Sequence, residues 1–480
     1  FESKSSSSDH HHPQSTRQKY SHPQSTTNSN VHQKKQQYRF PSTPVRTIYI
    51  ACPAFAETGG PEALHQLCHM INTGDYGYDD SDDAKPKCDE FGRAIAAGSK
   101  AADGKKGSSK NAVKAYMLYL RERHGGREVE EVLTSRARST KYDRYDAPPA
   151  ENLPGNTSNN ETTQNDYSPD LVIWPEGWTH LIDSLQPDHT NEEGRYRYQI
   201  AIWWLSVNNN KGRFDTQQFS TRNDILHLVQ STYARDYVSS KISQGTNNNR
   251  GKVSTSSGDG RGAGNVMMLT EFIPYSSPSF SPKIPNEEDK TQEVARDLDV
   301  VYNTAKGMHY TDEIIRRACG KKAKTNATDG SVCGGGIKFN PIGKGEGGRE
   351  RMTGEEVVAL LKRSKVYIDF GPHPGMDRLP REAALAGCVV VTNREGAANF
   401  TEDVPLPAEF KLGGKFDVDK VSSLLKDICN NHAKYADKMK PYQKWILGQE
   451  KQMEVCVDRL VDKVVTRRIV KKRQGVDNNP

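Results

Sequence analysis

The sequence predicts an α/β protein with two Rossmann-like domains, each a doubly wound parallel sheet, facing a central cleft. Short apolar segments of strand length alternate with amphipathic helical segments, a pattern typical of parallel sheets covered by helices on both faces. This series occurs twice, and a Pro-rich stretch at 273–286 separates the two series. Low-complexity polar stretches interrupt both series and predict surface loop inserts at 73–112, 146–168, 243–264 and 320–352.

The individual elements follow from periodicity and from start and stop signals. Strands of the first series are predicted at 46–52, 115–120, 170–174, 199–205, 226–230 and 266–273, and those of the second at 298–302, 337–342, 365–370 and 388–393. Helices are predicted at Glu62–Ile71, Gly354–Arg363, Leu379–Ala386 and Val418–Asn431. A capping box, Thr353-x-x-Glu356, marks the start of one of them. Because strand side chains alternate, we expect one of Trp203 and Trp204 in the core and the other at the surface or crevice.

Composition excludes both a membrane-embedded chain and a fully disordered one. Of 480 residues, 34% are hydrophobic, and the mean hydropathy is −0.82. The chain has no run of about 18 apolar residues, so no transmembrane segment is expected. Residues 1–46 hold seven basic and two acidic side chains, which accounts for +5 of the net charge of +6. The remainder is nearly neutral, so a nucleic-acid partner is not expected.

The predicted domain boundaries follow changes in composition. Residues 1–45 are rich in Ser, His, Gln and Thr, and we expect a disordered tail there. An N-terminal Rossmann-like domain is predicted at 46–275, a linker at 276–296 and a C-terminal Rossmann-like domain at 297–440. Residues 441–480 are predicted to form a C-terminal helix and a basic tail.

The first strand leads directly into a candidate anion site at Gly59-Gly60-Pro61, where a helix begins. Glycines permit a tight turn, and the free N–H groups at a helix start attract an anion. The segment matches neither the G-x-G-x-x-G dinucleotide fingerprint nor the G-x-x-x-x-G-K-[ST] phosphate loop. A purely structural turn is the alternative for Gly59 and Gly60.

Two motifs together resemble the retaining GT-B glycosyltransferases of the glycogen-synthase-like superfamily. They are Thr-Gly-Gly-Pro-Glu-Ala-Leu-His-Gln-Leu at 58–67 and Pro-Arg-Glu-Ala-Ala-Leu-Ala-Gly-Cys-Val-Val-Val at 380–391. More narrowly, segments at 202–208, 227–231 and 367–371 are similar to those of bacterial capsule-type glycosyltransferase-like proteins. The resemblance implies a nucleotide-sugar donor between the two domains, a glycan or other hydroxyl acceptor, and no further cofactor. It also implies a terminal helix that returns to the first domain.

The resemblance assigns donor-side roles in the second domain. In that family a Glu-x7-Glu motif binds the sugar with its first carboxylate and the ribose with its second. Glu382 matches the second position, whereas Pro374 stands at the first. His373, Asp377 and Arg378 lie nearby in sequence and are therefore the candidates for the sugar-contacting and catalytic groups.

The donor diphosphate is expected to meet cations from the second domain and N–H groups from the first. Lys306 matches the diphosphate-binding lysine of the family, although the arginine that accompanies it there is absent. Arg378 is the candidate replacement. Gly59 and Gly60 would face the same phosphates from the opposite domain. A loop lysine without this role is the alternative for Lys306.

Residues at the strand ends of the first domain are candidates for the acceptor side, because strand ends face the crevice. Glu176 and Trp178 follow one strand, and Ser206 follows another. Structural packing is the alternative for Glu176 and Trp178. The Asp297-Leu298-Asp299 sequence has the form of a metal motif but precedes its strand, so we interpret it as coincidence. No set of His, Cys and carboxylate residues has ligand spacing, and no metal is expected.

The resemblance implies a metal-independent glycosyltransferase that moves a sugar from a nucleotide-sugar to a hydroxyl acceptor with retention. A non-catalytic GT-B-like module that binds a nucleotide or glycan is the alternative, and Pro374 favours it. A third hypothesis is an enzyme acting on another phosphate-bearing ligand, such as an epimerase or phosphorylase. The first residue is Phe1, so we expect a fragment or processed product. The compartment stays open between the cytoplasm and, if an N-terminal anchor is missing, the Golgi or endoplasmic reticulum.

Overall fold

The computed structural model describes most of the two predicted series. The described residues are 47–54, 59–74, 113–123, 128–131, 171–185, 199–210, 212–222, 225–248, 265–274, 295–319, 331–332, 337–343, 351–413 and 417–465. The predicted tail at 1–45, most of the predicted linker and the basic end lie outside them. The predicted domain boundaries therefore stay a prediction.

The first sheet is built from the first predicted series. Its strands are β1 (Thr47–Pro53), β2 (Lys114–Arg123), β3 (Glu128–Glu131), β4 (Leu171–Pro175), β5 (Gln199–Trp204), β6 (Ile225–Val229) and β7 (Val266–Met268). They lie in the order β3-β2-β1-β4-β5-β6-β7. All neighbours are parallel except β2 and β3, which are antiparallel.

The second sheet repeats the plan with the second series. Its strands are β8 (Leu298–Asn303), β9 (Ser331–Val332), β10 (Lys338–Ile342), β11 (Ser364–Asp369), β12 (Val389–Asn393) and β13 (Lys411–Leu412). They lie in the order β13-β12-β11-β8-β10-β9, and only β9 runs antiparallel to its neighbour.

In each sheet the chain order reverses beside the first strand. The strand β1 lies between β2 and β4, and β8 lies between β10 and β11. Loops that leave adjacent strands at such a reversal diverge to opposite faces, so a crevice opens at the carboxyl ends of the strands. The fold therefore provides one crevice after β1 and β4 and another after β8 and β11.

Helices flank both sheets. They are α1 (Gly59–Thr73), α2 (Thr216–Thr221), α3 (Thr232–Asn248), α4 (Met308–Cys319), α5 (Gly354–Arg363), α6 (Arg378–Leu385), α7 (Val418–Asn430), α8 (His432–Asp437), α9 (Lys440–Leu447) and α10 (Gln449–Val465). The predicted capping box is confirmed, because Thr353 and Glu356 exchange side-chain to backbone hydrogen bonds at the start of α5. Among the described helices, none combines the length and apolar character that crossing a bilayer requires.

Both faces of the first sheet are covered by apolar cores. One core holds β1 residues such as Ile48 together with α1, and the other holds Tyr49 together with α3. Trp203 lies in the first core and Trp204 in the second, and both are fully buried. The expectation that one of them reaches the surface is therefore wrong, because strand β5 is central and has no open face.

The last helix returns to the first sheet, as the resemblance implied. Its apolar stripe enters the core beside α1 through Met453, Cys456, Val457, Leu460, Val461 and Val464. We call β1 to β7 with α1 to α3 the first half, and β8 to β13 with α4 to α9 the second half. Helix α10 thus packs with the first half, although it follows the second half in sequence.

The predicted fold class, α/β with two Rossmann-like doubly wound sheets, is confirmed. Two local predictions are wrong. The strand predicted at 266–273 ends at Met268, and the loop predicted from 243 begins later because α3 continues to Asn248. The edge strands β3, β9 and β13 were not predicted, since they are short or polar.

A carboxylate of the second half caps a helix of the first half. The Oδ1 atom of Asp403 accepts a hydrogen bond from the Thr232 N–H at 2.7 Å, and its Oδ2 atom accepts one from the Tyr233 N–H at 3.0 Å. These N–H groups begin α3 and have no partner within the helix. Asp403 is buried, so the two halves are joined by a charge-assisted cap.

Replacing this cap should weaken the whole molecule. We expect Asp403→Ala to lower the free energy of unfolding by about 1–2 kcal/mol, because two buried N–H groups lose their acceptor. Asp417→Ala is the matched control, since Asp417 caps α7 within the second half and is half exposed. Urea unfolding of both variants measures the difference. An equal or smaller loss for Asp403→Ala would contradict this account.

Candidate functional site

The crevice of the first sheet and the loop after β11 of the second sheet enclose a cleft of about 560 Å³. The start of α1 and the loops after β4 and β5 form one wall, and residues 376–378 of the second half form the other. Seven of the sequence-predicted site residues line it, namely Gly59, Gly60, Glu176, Trp178, Ser206, Asp377 and Arg378. The other three, His373, Lys306 and Glu382, are described but are not among the lining residues.

The Arg378 side chain lies across the start of α1. A Cβ atom built on Gly59 would be 2.5 Å from Arg378 Cδ, whereas one built on Gly60 would meet only Leu205 at 3.9 Å. Arg378 Nε also lies 3.4 Å from Glu382 Oε1. Burial lowers the pKa of Arg378, but Glu382, Glu271 and Glu62 more than compensate and raise it above its ordinary value. A permanent positive charge therefore stands beside the first N–H groups of α1.

Lys306 is held by two carboxylates of its own half. Its Nζ lies 2.5 Å from Asp377 Oδ2 and 3.3 Å from Asp369 Oδ2, and it donates to the Pro372 carbonyl at 3.1 Å. Burial lowers the Lys306 pKa, but the two carboxylates outweigh it and raise the pKa. The next residue, Gly307, has φ +67° and lies so close to Gly371 that a side chain has no room. The loop after β8 is thus packed tightly against the loop after β11.

His373 lies beneath this loop and orients Asp377. Only 2% of His373 is exposed, and its Nδ1 lies 2.6 Å from Asp377 Oδ2. Burial would raise the pKa of Asp377, but the His373 hydrogen bond and the charge of Lys306 hold it below its ordinary value. Asp377 is therefore an ionised group at neutral pH, suited to accept a hydrogen bond from a hydroxyl rather than to donate a proton.

Three potential metal ligands come together in this region. Asp369, His373 and Asp377 offer ligand atoms within 4.8 Å of one another. This set was not predicted from the sequence, because Asp369 ends β11 while the other two residues lie in the following loop. In the structure the Lys306 ammonium supplies the positive charge between the two carboxylates.

Glu176 is buried, and both of its carboxylate oxygens are used by the protein. Oε1 accepts from the Ser206 N–H and from Asn209 Nδ2, each at 3.0 Å, and Oε2 accepts from the Leu205 N–H at 3.3 Å. Burial raises the pKa of Glu176 to about 7, against the opposing effect of these donors. Glu176 therefore holds the loop after β5 in place and so positions Ser206 in the cleft wall. Trp178 lies beside it, half-buried.

A buried network that sequence reasoning missed closes the floor of the cleft. Arg381 of α6 forms an ion pair with Glu271, which follows β7 in the first half, and both side chains are almost fully buried. Gln230, which follows β6, donates to Glu271 Oε1 at 3.0 Å and accepts from the Met376 N–H at 3.0 Å. Glu271 follows β7 in the structure, but the strand predicted at 266–273 enclosed it, so the strand-end rule did not single it out.

Comparisons with known proteins identify no family for this chain. Neither the models of protein families nor the curated proteins yield a match. Among solved structures, the chain is similar to Anabaena Alr3699/HepE in complex with UDP and glucose, with a TM-score of 0.44 and 12% identity over 87% of this chain and 98% of that one. It is similar to the trehalose-6-phosphate synthase OtsA, with a TM-score of 0.40 and 12% identity over 62% of this chain and 72% of that one. It is also similar to a mutant of S. aureus TarM in a complex that includes UDP, with a TM-score of 0.39 and 12% identity over 62% of this chain and 55% of that one.

The raised pKa of Glu176 predicts a pH-dependent stability. A carboxyl whose pKa rises from 4.5 in the unfolded chain to about 7 in the folded one stabilises the fold below pH 4.5 and loses this contribution as the pH rises through 7. We expect the wild type to lose up to about 3 kcal/mol relative to Glu176→Gln between pH 4.5 and 8. Urea unfolding of both proteins across this range tests it, and parallel curves would show that Glu176 is ionised throughout.

Proposed function

We propose that the chain is a glycosyltransferase that binds a nucleotide-sugar in the cleft between its two sheets. One observation supports this most strongly, namely that the order reversal of the first sheet opens on a cleft whose other wall is the loop after β11 of the second sheet. Ligands of open α/β sheets bind at such reversals. The N-terminus of α1 and the Arg378 guanidinium converge there, and together they suit a diphosphate.

We further propose that the sugar is transferred with retention of its anomeric configuration and without a metal ion. The bond from the anomeric carbon to the leaving phosphate oxygen breaks, and the acceptor oxygen bonds to the same face. The acceptor proton passes to the leaving phosphate oxygen. Arg378 and the α1 N–H groups stabilise the charge that develops on the leaving diphosphate. Glu176 is unsuited to serve as a nucleophile, because N–H donors occupy both of its oxygens.

The other predicted site residues would contact the donor and the acceptor or hold the groups that do. Glu382 would contact the ribose, and its hydrogen bond with Arg378 links the ribose to the diphosphate cation. Lys306 and His373 would act through Asp377, which they hold in the cleft wall. The acceptor would be a hydroxyl of a polysaccharide, as the narrower resemblance to capsule-type proteins suggests, and it would lie along Ser206 and Trp178.

A non-catalytic module that binds a nucleotide or glycan is the second candidate. Two observations favour it. Pro374 offers no carboxylate, and its carbonyl is used by the Val207 N–H at 3.1 Å. Lys306 already neutralises Asp369 and Asp377 and is not free to bind a diphosphate unless it exchanges partners.

Calorimetric titration of the full chain with UDP, GDP and ADP, and then with their glucose esters, tests the proposal. We expect one nucleotide to bind without added metal, and Arg378→Gln to weaken it about 10–100-fold through loss of a charged hydrogen bond. Arg316→Gln is the matched control, because Arg316 is exposed at the end of α4. Slow hydrolysis of the bound sugar nucleotide supports the enzyme, and binding without turnover supports the module. If no nucleotide binds, the proposal is wrong.

The two glycines give a second test of the same phosphate site. We expect Gly59→Ala to weaken nucleotide binding about tenfold, because its Cβ displaces Arg378 from the start of α1. Gly60→Ala is the control, since its Cβ has room, and it should change the affinity less than about threefold. The same titration measures both variants. If both variants changed the nucleotide affinity equally, Arg378 and the N-terminus of α1 would not bind the same phosphate group.

A further inference from the structure

The carboxylate of Glu271 is only half used by the protein. Its Oε1 atom accepts from Gln230 Nε2 at 3.0 Å and from Arg381 Nη2. Its Oε2 atom is buried and has no hydrogen-bond donor among the described residues. The residue itself is 2% exposed and is one of the residues that line the cleft. A carboxylate oxygen accepts more than one hydrogen bond, and a buried one without a donor is unfavourable.

The surroundings fix the direction of this carboxylate. Arg381 is itself held by the Met376 carbonyl at 2.6 Å and the Asp377 carbonyl at 3.2 Å, so its guanidinium cannot swing round to serve Oε2. Gln230 is likewise fixed, because its other amide atom accepts from the Met376 N–H. Gln230 and Arg381 therefore donate to Oε1, and neither can donate to Oε2. No other described residue donates to Oε2, so a donor has to come from a bound ligand.

The donor that fits is a hydroxyl group. Glu271 shares the cleft with Arg378, and its negative charge is felt by that guanidinium. A group held at Glu271 therefore lies in the same cleft as a diphosphate held at Arg378. A second anion is excluded there by charge, whereas a sugar hydroxyl donates to a carboxylate in a strong, charge-assisted hydrogen bond.

We infer that Glu271 Oε2 accepts a hydrogen bond from a hydroxyl of the donor sugar, and so supplies from the first half the carboxylate that the second half lacks at Pro374. This inference rests on the proposed function. It makes Glu271 a residue that distinguishes a nucleotide-sugar from the bare nucleotide, because the nucleotide alone carries no group to this position.

The test compares two affinities in each protein, that for the bare nucleoside diphosphate and that for its glucose ester, using whichever of UDP, GDP and ADP binds. We expect Glu271→Gln to reduce the preference for the glucose ester at least about tenfold, while the affinity for the bare nucleotide stays within about threefold. Arg381→Gln breaks the same ion pair and loosens the loop of Met376 and Asp377, which should weaken the binding of both ligands alike. Because it keeps the carboxylate, it should retain the preference for the glucose ester. The double variant Glu271→Gln with Arg381→Gln removes both buried charges and is measured in case the single variant does not fold.

Each outcome decides the inference. Loss of the preference in Glu271→Gln or the double variant, with retention in Arg381→Gln, supports it. An unchanged preference in the Glu271 variants, or the same loss in all three, overturns it and leaves the nucleotide site standing. The absence of nucleotide binding by the wild type overturns both this inference and the proposed function.

Discussion

The buried ion pair between Arg381 and Glu271 is the interaction on which the cleft depends. It joins α6 of the second half to the strand end of the first, and the same guanidinium holds the backbone of Met376 and Asp377. Removal of one member of a buried pair leaves an uncompensated charge, which typically costs about 3–5 kcal/mol. The loop that bears Asp377 and begins α6 therefore has its shape only while the two halves are together. The same residues thus form the contact between the two halves and the wall of the cleft.

The strands were predictable because their signal is local. A central parallel strand is apolar on both sides, and the segments of β4, β5 and β6 are buried throughout. Edge strands were not predicted because they lack this signal, since β3 is the four-residue, mostly acidic segment Glu128–Glu131 and β13 has only two residues. Trp203 and Trp204 show the limit of period-two reasoning, because alternation places them on opposite faces but does not tell whether a face is covered.

The site was predictable only in part. Glu176, Trp178 and Ser206 follow strands, and the strand-end rule predicted that they face the crevice, where the structure has them. The rule says nothing of partners, and so it did not show that Glu176 is saturated by the next loop. Contacts between the halves join residues far apart in sequence, such as Arg381 with Glu271 at a separation of 110 positions. No local pattern encodes such a pairing. Lys306 illustrates the consequence, because its carboxylate partners became visible only with the fold.

The return of α10 to the first sheet has a consequence for how the chain is made. The last strand of that sheet ends at Met268, but the helix that covers the face beside α1 ends at Val465, roughly 200 residues later. At synthesis rates of 5–20 residues per second, the face waits roughly 10–40 seconds for its cover. During that interval apolar side chains of β1, β2 and α1 are without their final neighbour, which is the condition in which nascent chains aggregate or recruit chaperones. The first half is thus the earlier to be made and the later to be completed.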